Sequence, residues 1–212
     1  ERFAIVNIWR SIAGPVEEGG RCAPPNIAWN LDLARDAPAL GWRDWVLLND
    51  FAAQALACRT PVGERAREVL PGRAEPQGVL AVVGAGTGLG KAALAPDGRG
   101  GWLVLSSEAG HGLFPFASER ELEFWRFVRA ATGRAQVIGD LVCSGSGLSL
   151  LHRFLTGEEK SPEEVAAAFG PDSAPLEWFA RFLGRACREY ALQTVALGGV
   201  VVAGGIAARN PA

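Results

Sequence analysis

Apolar positions along this chain follow two rhythms. Short runs of aliphatic and β-branched residues at Phe3 to Ile8, Trp45 to Leu48, Val79 to Val83 and Val200 to Val202 are bounded by Gly, Pro, Asn and Asp, and are expected to be buried strands. Between them the apolar residues recur at helical spacing, as in Leu122, Phe124, Trp125, Phe127 and Val128, and again in Leu176, Phe179, Phe182, Leu183, Cys187 and Tyr190. Phe51 to Cys58 has helical composition, Leu150 to Leu155 reads as an amphipathic helix carrying His152, and Glu17 to Gly20 supplies a turn. Polar punctuation sets the expected helix ends. Ser118 with Glu121 predicts a capping box with Gly133 beyond the last turn; Ser161, Pro162 and Glu164 repeat the signature with Gly170 as the stop. The helix from about Pro175 is expected to run until Gly198-Gly199. Strands and helices alternate, which predicts an α/β fold.

Residues from Thr60 to Gln77 are rich in Pro, Gly, Arg and Glu and mark a boundary between two lobes, one over residues 1–60 and the other over 61–212. With 49% hydrophobic and 21% charged residues, the chain has ordinary globular composition. A formal net charge of -2 provides no basic field for a phosphate backbone or an anionic lipid surface, so no nucleic-acid or membrane partner is expected and the ligands are expected to be small. The longest apolar run, Val195 to Ile206, is interrupted by four glycines and suits a buried strand better than a bilayer span. Cys22, Cys58, Cys143 and Cys187 are scattered and only two His residues occur, so no metal site and no disulfide framework is expected; free thiols suit a cytoplasmic protein. The sequence has no Met, not even at position 1, and is expected to be part of a longer polypeptide.

Two junctions join a strand to glycines. Gly84-Ala85-Gly86-Thr87-Gly88-Leu89-Gly90 follows one strand and Gly204-Gly205 follows another. Bare backbone N–H groups in such loops can approach an anion, and phosphate is the natural guest. A dinucleotide fingerprint fails in register, because Leu89 or Lys91 stands where its third glycine is needed, and Lys91 is not followed by Ser or Thr as a P-loop requires. Lys91 to Ala95 reads better as the return strand of a hairpin.

The strings LLND (Leu47 to Asp50), GAGTGLG (Gly84 to Gly90), EAGH (Glu108 to His111), CSGSGL (Cys143 to Leu148) and GGVVVAGGI (Gly198 to Ile206) stand in the order and spacing of bacterial glucokinases, and the chain resembles that family over nearly its whole length. Pro25-Asn26 with Trp29 is similar to the family's early segment. The resemblance implies a two-lobed, actin-like (ribonuclease H-like) ATPase fold with the small lobe incomplete, and ATP-dependent phosphorylation of D-glucose. It implies glucose and ATP as ligands, Mg²⁺ as the companion of ATP, and a homodimer as one form of assembly. Three departures stand out: the family's first acidic, glycine-rich phosphate hairpin has no counterpart and neither has its C-terminal segment; Ala109 replaces a usual Gly; and Asp140 stands where Glu is usual. The chain as given is therefore expected to turn over ATP and glucose poorly. The alternative reading is a sugar-binding remnant or sensor of the same fold.

Phosphoryl transfer to a sugar hydroxyl needs positioning, charge stabilisation and one group to take the hydroxyl proton. Asp50, expected between a strand end and a helix, is the candidate base, with Asn49 beside it on neighbouring hydroxyls; read without context, the same pair is a helix N-cap. Glu108 and His111, three residues apart, can converge on adjacent hydroxyls. The resemblance gives them that role together with Asn26 and Asp140, and gives Gly84, Gly86, Thr87, Gly88, Gly204 and Gly205 to the nucleotide. Trp29 is a candidate for lining the sugar cleft, whereas the other Trp residues read as packing and His152 as a surface or core residue.

Overall fold

The computed structural model describes residues 16–23, 28–170 and 172–210. The expected strand at Phe3 to Ile8, and Asn26, lie outside them. A small antiparallel pair comes first, β1 (Arg21–Cys22) with β2 (Leu31–Asp32), following a turn at Glu18 to Gly20. Helix α1 (Leu33–Ala39) is capped by the Asp32 carboxylate, and α2 (Asp50–Ala57) is capped by Asn49. The expected strand at Trp45 to Leu48 is not formed: these residues are irregular chain leading into α2, and Val46 is among the most exposed apolar residues. Four aliphatic or aromatic residues make a strand only when a partner supplies the ladder, and none pairs with them among the described residues.

After the irregular segment through Gln77 comes the central sheet. Strands β3 (Leu80–Ala85), β4 (Leu89–Pro96) and β5 (Trp102–Ser107) form an antiparallel meander, and β6 (Gly199–Ala203) lies parallel to β3, giving the order β5-β4-β3-β6. Side chains alternate between its two faces. Ala81, Val83, Ala85, Leu89 and Ala93 join the larger core, whereas Leu80, Val82, Ala92 and Leu94 form a second core with Ala55 and the partly buried Phe51 of α2.

The larger core is covered by α3 (Glu119–Thr132), α4 (Gly145–Thr156), α5 (Pro162–Ala167) and α6 (Ala174–Thr194). Phe114, Phe116, Phe124, Phe154, Trp178 and Phe182 meet there edge-on, tilted or stacked, with centroid separations of 5.1 to 6.4 Å in the pairs they form. His152 is buried in α4.

One expected capping box and two expected helix ends are revised. At α3 the Ser118 hydroxyl accepts from Glu121 N–H as expected, but the Glu121 carboxylate reaches Ala117 N–H and forms a two-pronged ion pair with Arg185 at 2.6 and 2.9 Å, so it does not close the box on Ser118. The complete capping box is at α5, where Ser161 and Glu164 exchange bonds, yet that helix stops at Ala167, before Gly170. Helix α6 ends not at Gly198-Gly199 but at Val195, which adopts left-handed φ 49° and ψ 53° as C-cap. A short helix α7 (Gly205–Arg209) follows β6.

Candidate active site

The site gathers at one end of β3 and β4. Gly86 to Gly88 form the hairpin tip between the strands, and Gly86 N–H donates to the Gly88 carbonyl at 2.9 Å. The glycine-rich string thus turns into a strand, as expected for a hairpin, and not into the helix that a dinucleotide fingerprint needs. The tip is held from outside as well, since Gly145 N–H at the start of α4 donates to the Gly86 carbonyl at 2.9 Å. Ser144, buried just before it, caps α4 by accepting from Gly147 N–H and donates to the Asp140 carbonyl at 2.5 Å. The CSGSGL string therefore ties the hairpin tip to the loop that carries Asp140.

Two loops that are remote in sequence are sewn together beside the tip. Phe114 N–H donates to Val137 O at 3.1 Å and Gly139 N–H to Gly112 O at 3.0 Å, around a bridge between Leu113 and Ile138. This brings Glu108, His111 and Asp140 into one row. His111 Nδ1 lies 3.5 Å from Glu108 Oε2, and its Nε2 lies 3.3 Å from Asp140 Oδ2. Asp140 is also the hairpin's anchor, because its Oδ1 accepts from Leu89 N–H at 2.7 Å. Gly110 is required by this crossing: a Cβ there would collide with the Leu89 carbonyl and approach Asp140 Oδ1 to 2.8 Å. Glu108 and His111 remain more than half exposed, so the row is open to a ligand rather than sealed.

On the opposite face of the same strand stands α2. The Asn49 side chain accepts from Phe51 N–H at 2.9 Å and Ala52 N–H at 3.2 Å, which is the helix-cap role the sequence allowed for the Asn-Asp pair. Asp50, the first helical residue, is half-buried; burial pushes its carboxyl above the usual carboxylate range, against the lowering effect of the Phe51 N–H bonded to it at 2.9 Å. The residue after Asp50 thus packs on β4, its Phe51 ring lying on Gly90, while the Asp140 carboxylate bonds the adjacent Leu89.

The glycines proposed by sequence divide into two kinds. A Cβ at Gly84 would meet Ala203 backbone and the Phe51 ring, and one at Gly204 would collide with Ala85 backbone, so protein packing alone requires both. Gly86 and Gly205 face open space, Gly88 lies against the Asp140 carboxylate, and Thr87 is exposed. Of the candidate nucleotide residues, Gly86, Thr87 and Gly205 therefore have backbone or side chain accessible to a phosphate. Trp29 is exposed. Among the described residues no group of three or more His, Cys, Asp or Glu side chains could hold a metal ion, and no helix is long and apolar enough to cross a membrane.

Comparison with known proteins settles the family. Residues 4–212 match the family model described as Glucokinase. The chain belongs to the glucokinase family. Similar relatives include the glucokinase of Chromobacterium violaceum, 42% identical over 210 residues that cover 93% of this chain and 59% of that protein. The glucokinase of Pseudomonas paraeruginosa is 34% identical over 215 residues, covering 97% of this chain and 62% of that protein. Among solved structures, a glucokinase from an Antarctic psychrotroph superposes with a TM-score of 0.74 at 27% identity, over 94% of this chain and 64% of that one. A Balamuthia mandrillaris glucokinase in complex with glucose gives 0.79 at 17% identity over 95% and 64%, a likeness of fold. This glucokinase-family chain thus has the actin-like α/β fold expected of it, and it spans about 60% of the length of the relatives it matches.

Proposed function

We propose that this chain is the sugar-reading and nucleotide-facing part of a cytoplasmic, ATP-dependent glucokinase whose product is glucose 6-phosphate, with the small lobe lying in residues 1–60 and the large lobe in 61–212. The reading is carried by the row of Glu108, His111 and Asp140 beside the hairpin tip, which Asp140 fixes by its bond to Leu89 of β4. Asp50 stands on one face as a partly desolvated base, and Asp140 stands on the other in a row with His111 and Glu108.

In the proposed reaction Asn49, Glu108, His111 and Asp140, with Asn26, hold the sugar hydroxyls. His111 can donate or accept, Glu108 accepts, and Asp140 has Oδ2 to share with His111 because Oδ1 is spent on Leu89. Asp50 accepts the proton of the attacking hydroxyl as its oxygen bonds to the γ-phosphorus and the β–γ oxygen bond breaks, releasing ADP. A carboxyl raised by burial is a stronger base than an exposed one. The open backbone at Gly86 and Gly205, with Thr87, faces the ATP phosphates. Mg²⁺ bound with ATP would supply charge neutralisation at the phosphates, and no cluster of acidic or His/Cys side chains among the described residues would hold it by itself.

The decisive test is Asp50→Asn in the full-length polypeptide. Because Asn49 is the cap, the exchange leaves the helix start nearly untouched; the loss of one carboxylate from the first turn costs about 0.3–1 kcal/mol. General-base assistance is worth ~10² to 10⁴. We expect kcat to fall at least ~10²-fold with glucose affinity within about threefold of the parent. A kcat loss below about threefold removes Asp50 as the base. Full glucose binding with no ATP binding by the parent polypeptide would instead establish the sensor reading.

A further inference from the structure

We propose that Phe51 is the positioning residue for Asp50, its ring seated in a notch that Gly84 and Gly90 cut into one face of the sheet, and that these two glycines serve the ring rather than the nucleotide. The inference rests on the reading of Asp50 as the base.

Gly84 and Gly90 are direct partners across the β3–β4 ladder. On the same sheet face the neighbouring pairs carry side chains, Val82 with Ala92 and Leu80 with Leu94, and both pairs pack toward α2. Only at the last pair before the hairpin tip but one is the face bare, and there the Phe51 ring lies. A Cβ on Gly90 would fall inside the volume of that ring, and one on Gly84 would stand 3.0 Å from its edge. Strand side chains would otherwise lift an aromatic ring off the backbone, so two paired glycines are what allows this approach. The consequence is transmitted through one peptide group. Phe51 N–H is bonded both to the Asn49 side chain and to the Asp50 carboxylate, each at 2.9 Å. Wherever the ring sits, the helix start and the carboxylate orientation follow.

A methyl group in the notch would move the ring and the first turn of α2 by the order of 1 Å, and a displacement of that size can cost ~10²-fold in rate. In the full-length polypeptide, Gly90→Ala should therefore lower kcat by roughly 10²-fold while the glucose dissociation constant, from titration calorimetry, and the ATP KM each stay within about threefold. Adding Phe51→Leu, which shortens the side chain facing the new methyl, should restore at least ~10-fold of the lost kcat. Phe51→Leu alone keeps a smaller apolar residue on a partly buried position and should fold. It should lower kcat about tenfold and move the acidic limb of the kcat/KM pH profile to lower pH, because water then reaches a carboxyl that burial holds high. A merely structural contact would lower thermal stability without moving that limb. The inference is overturned if Gly90→Ala retains its kcat, if its defect lies in the ATP KM and Phe51→Leu rescues nothing, or if Phe51→Leu leaves the pH profile in place. If Gly90→Ala does not fold, the Phe51→Leu profile decides alone. Asp50→Asn separates the two levels: a silent Asp50→Asn sinks the base assignment itself, whereas a damaged Asp50→Asn beside a silent Gly90→Ala sinks only the notch.

Discussion

Replacing Asp140 tests whether the sugar row and the hairpin are held by the same carboxylate. In Asp140→Ala the Leu89 N–H loses its acceptor, and Leu89 is 4% exposed, so that donor cannot turn to water without moving the strand. Leaving a buried donor unpaired costs about 1–3 kcal/mol. The His111 contact adds little, because its ring is 62% exposed and water replaces the carboxylate. The expected loss is thus about 2 kcal/mol, which for a chain of this size lowers Tm by roughly 4–8 °C. Asp140→Asn retains an acceptor oxygen for Leu89 and should recover most of that loss, while its amide replaces the carboxylate facing His111. Asp140→Glu should behave differently again. The carboxylate is already within 3.3 Å of where side chains at Gly88 and Gly110 would begin, so a longer arm is expected to leave Leu89 and swing toward the open row. It should cost about 1 kcal/mol of stability and lower the glucose KM several-fold. Chemical unfolding of the three variants, with amide exchange followed at Leu89, provides the measurement. If Ala and Asn variants unfold within about 0.5 kcal/mol of one another and Leu89 exchange is unchanged, Asp140 does not hold the hairpin.

Two further outcomes are expected. Glu121 is buried, which alone would raise its pKa, but the Arg185 guanidinium and Ala117 N–H hold it below its ordinary 4.5; a depressed folded pKa means stability fully present above about 4.5 and lost as pH falls through the folded value. Glu121→Gln should cost roughly 3 kcal/mol at neutral pH and flatten the acid side of the stability curve, and an unchanged acid limb would contradict the assignment. Val195→Gly should stabilise the protein by about 0.5–1 kcal/mol, since the exposed side chain gives up little burial while the left-handed cap loses its ~1–2 kcal/mol penalty against glycine's greater chain entropy; a lower Tm would refute this.

Local chemistry made much of the fold legible in advance. Ser118, Gly133 and the Ser161 box act through groups within four residues, so sequence alone locates those helix ends, and the apolar run after the glycine-rich turn, Ala92 to Ala95, announces the return strand. The misjudged features depend on contacts that no local window contains. Glu121 abandons its own N-cap for Arg185, 64 residues away, because a buried carboxylate gains more from a guanidinium fork than from one backbone N–H. Val195 ends α6 in a conformation that β-branched residues avoid, with no residue type to signal it. The same limit applies to the site. Glu108, His111 and Asp140 stand out in the sequence beside Gly110 and Gly139, and Asn49 and Asp50 ahead of a helical stretch, but the grip of Asp140 on Leu89 spans 51 residues, and the need for Gly84 and Gly90 becomes plain only once the Phe51 ring lies on them.

Strand β4 deals its residues alternately to two faces, with Leu89, Lys91 and Ala93 toward the helices and Gly90, Ala92 and Leu94 toward α2. The segment should therefore tolerate many single exchanges far better than any change of length. Deleting or inserting one residue between Gly88 and Ala92 would present Leu or Lys to the Phe51 ring and a glycine to the helical core, inverting both faces in one event. In a library of variants, substitutions here should survive with graded activity, and one-codon insertions and deletions should be absent from the folded pool.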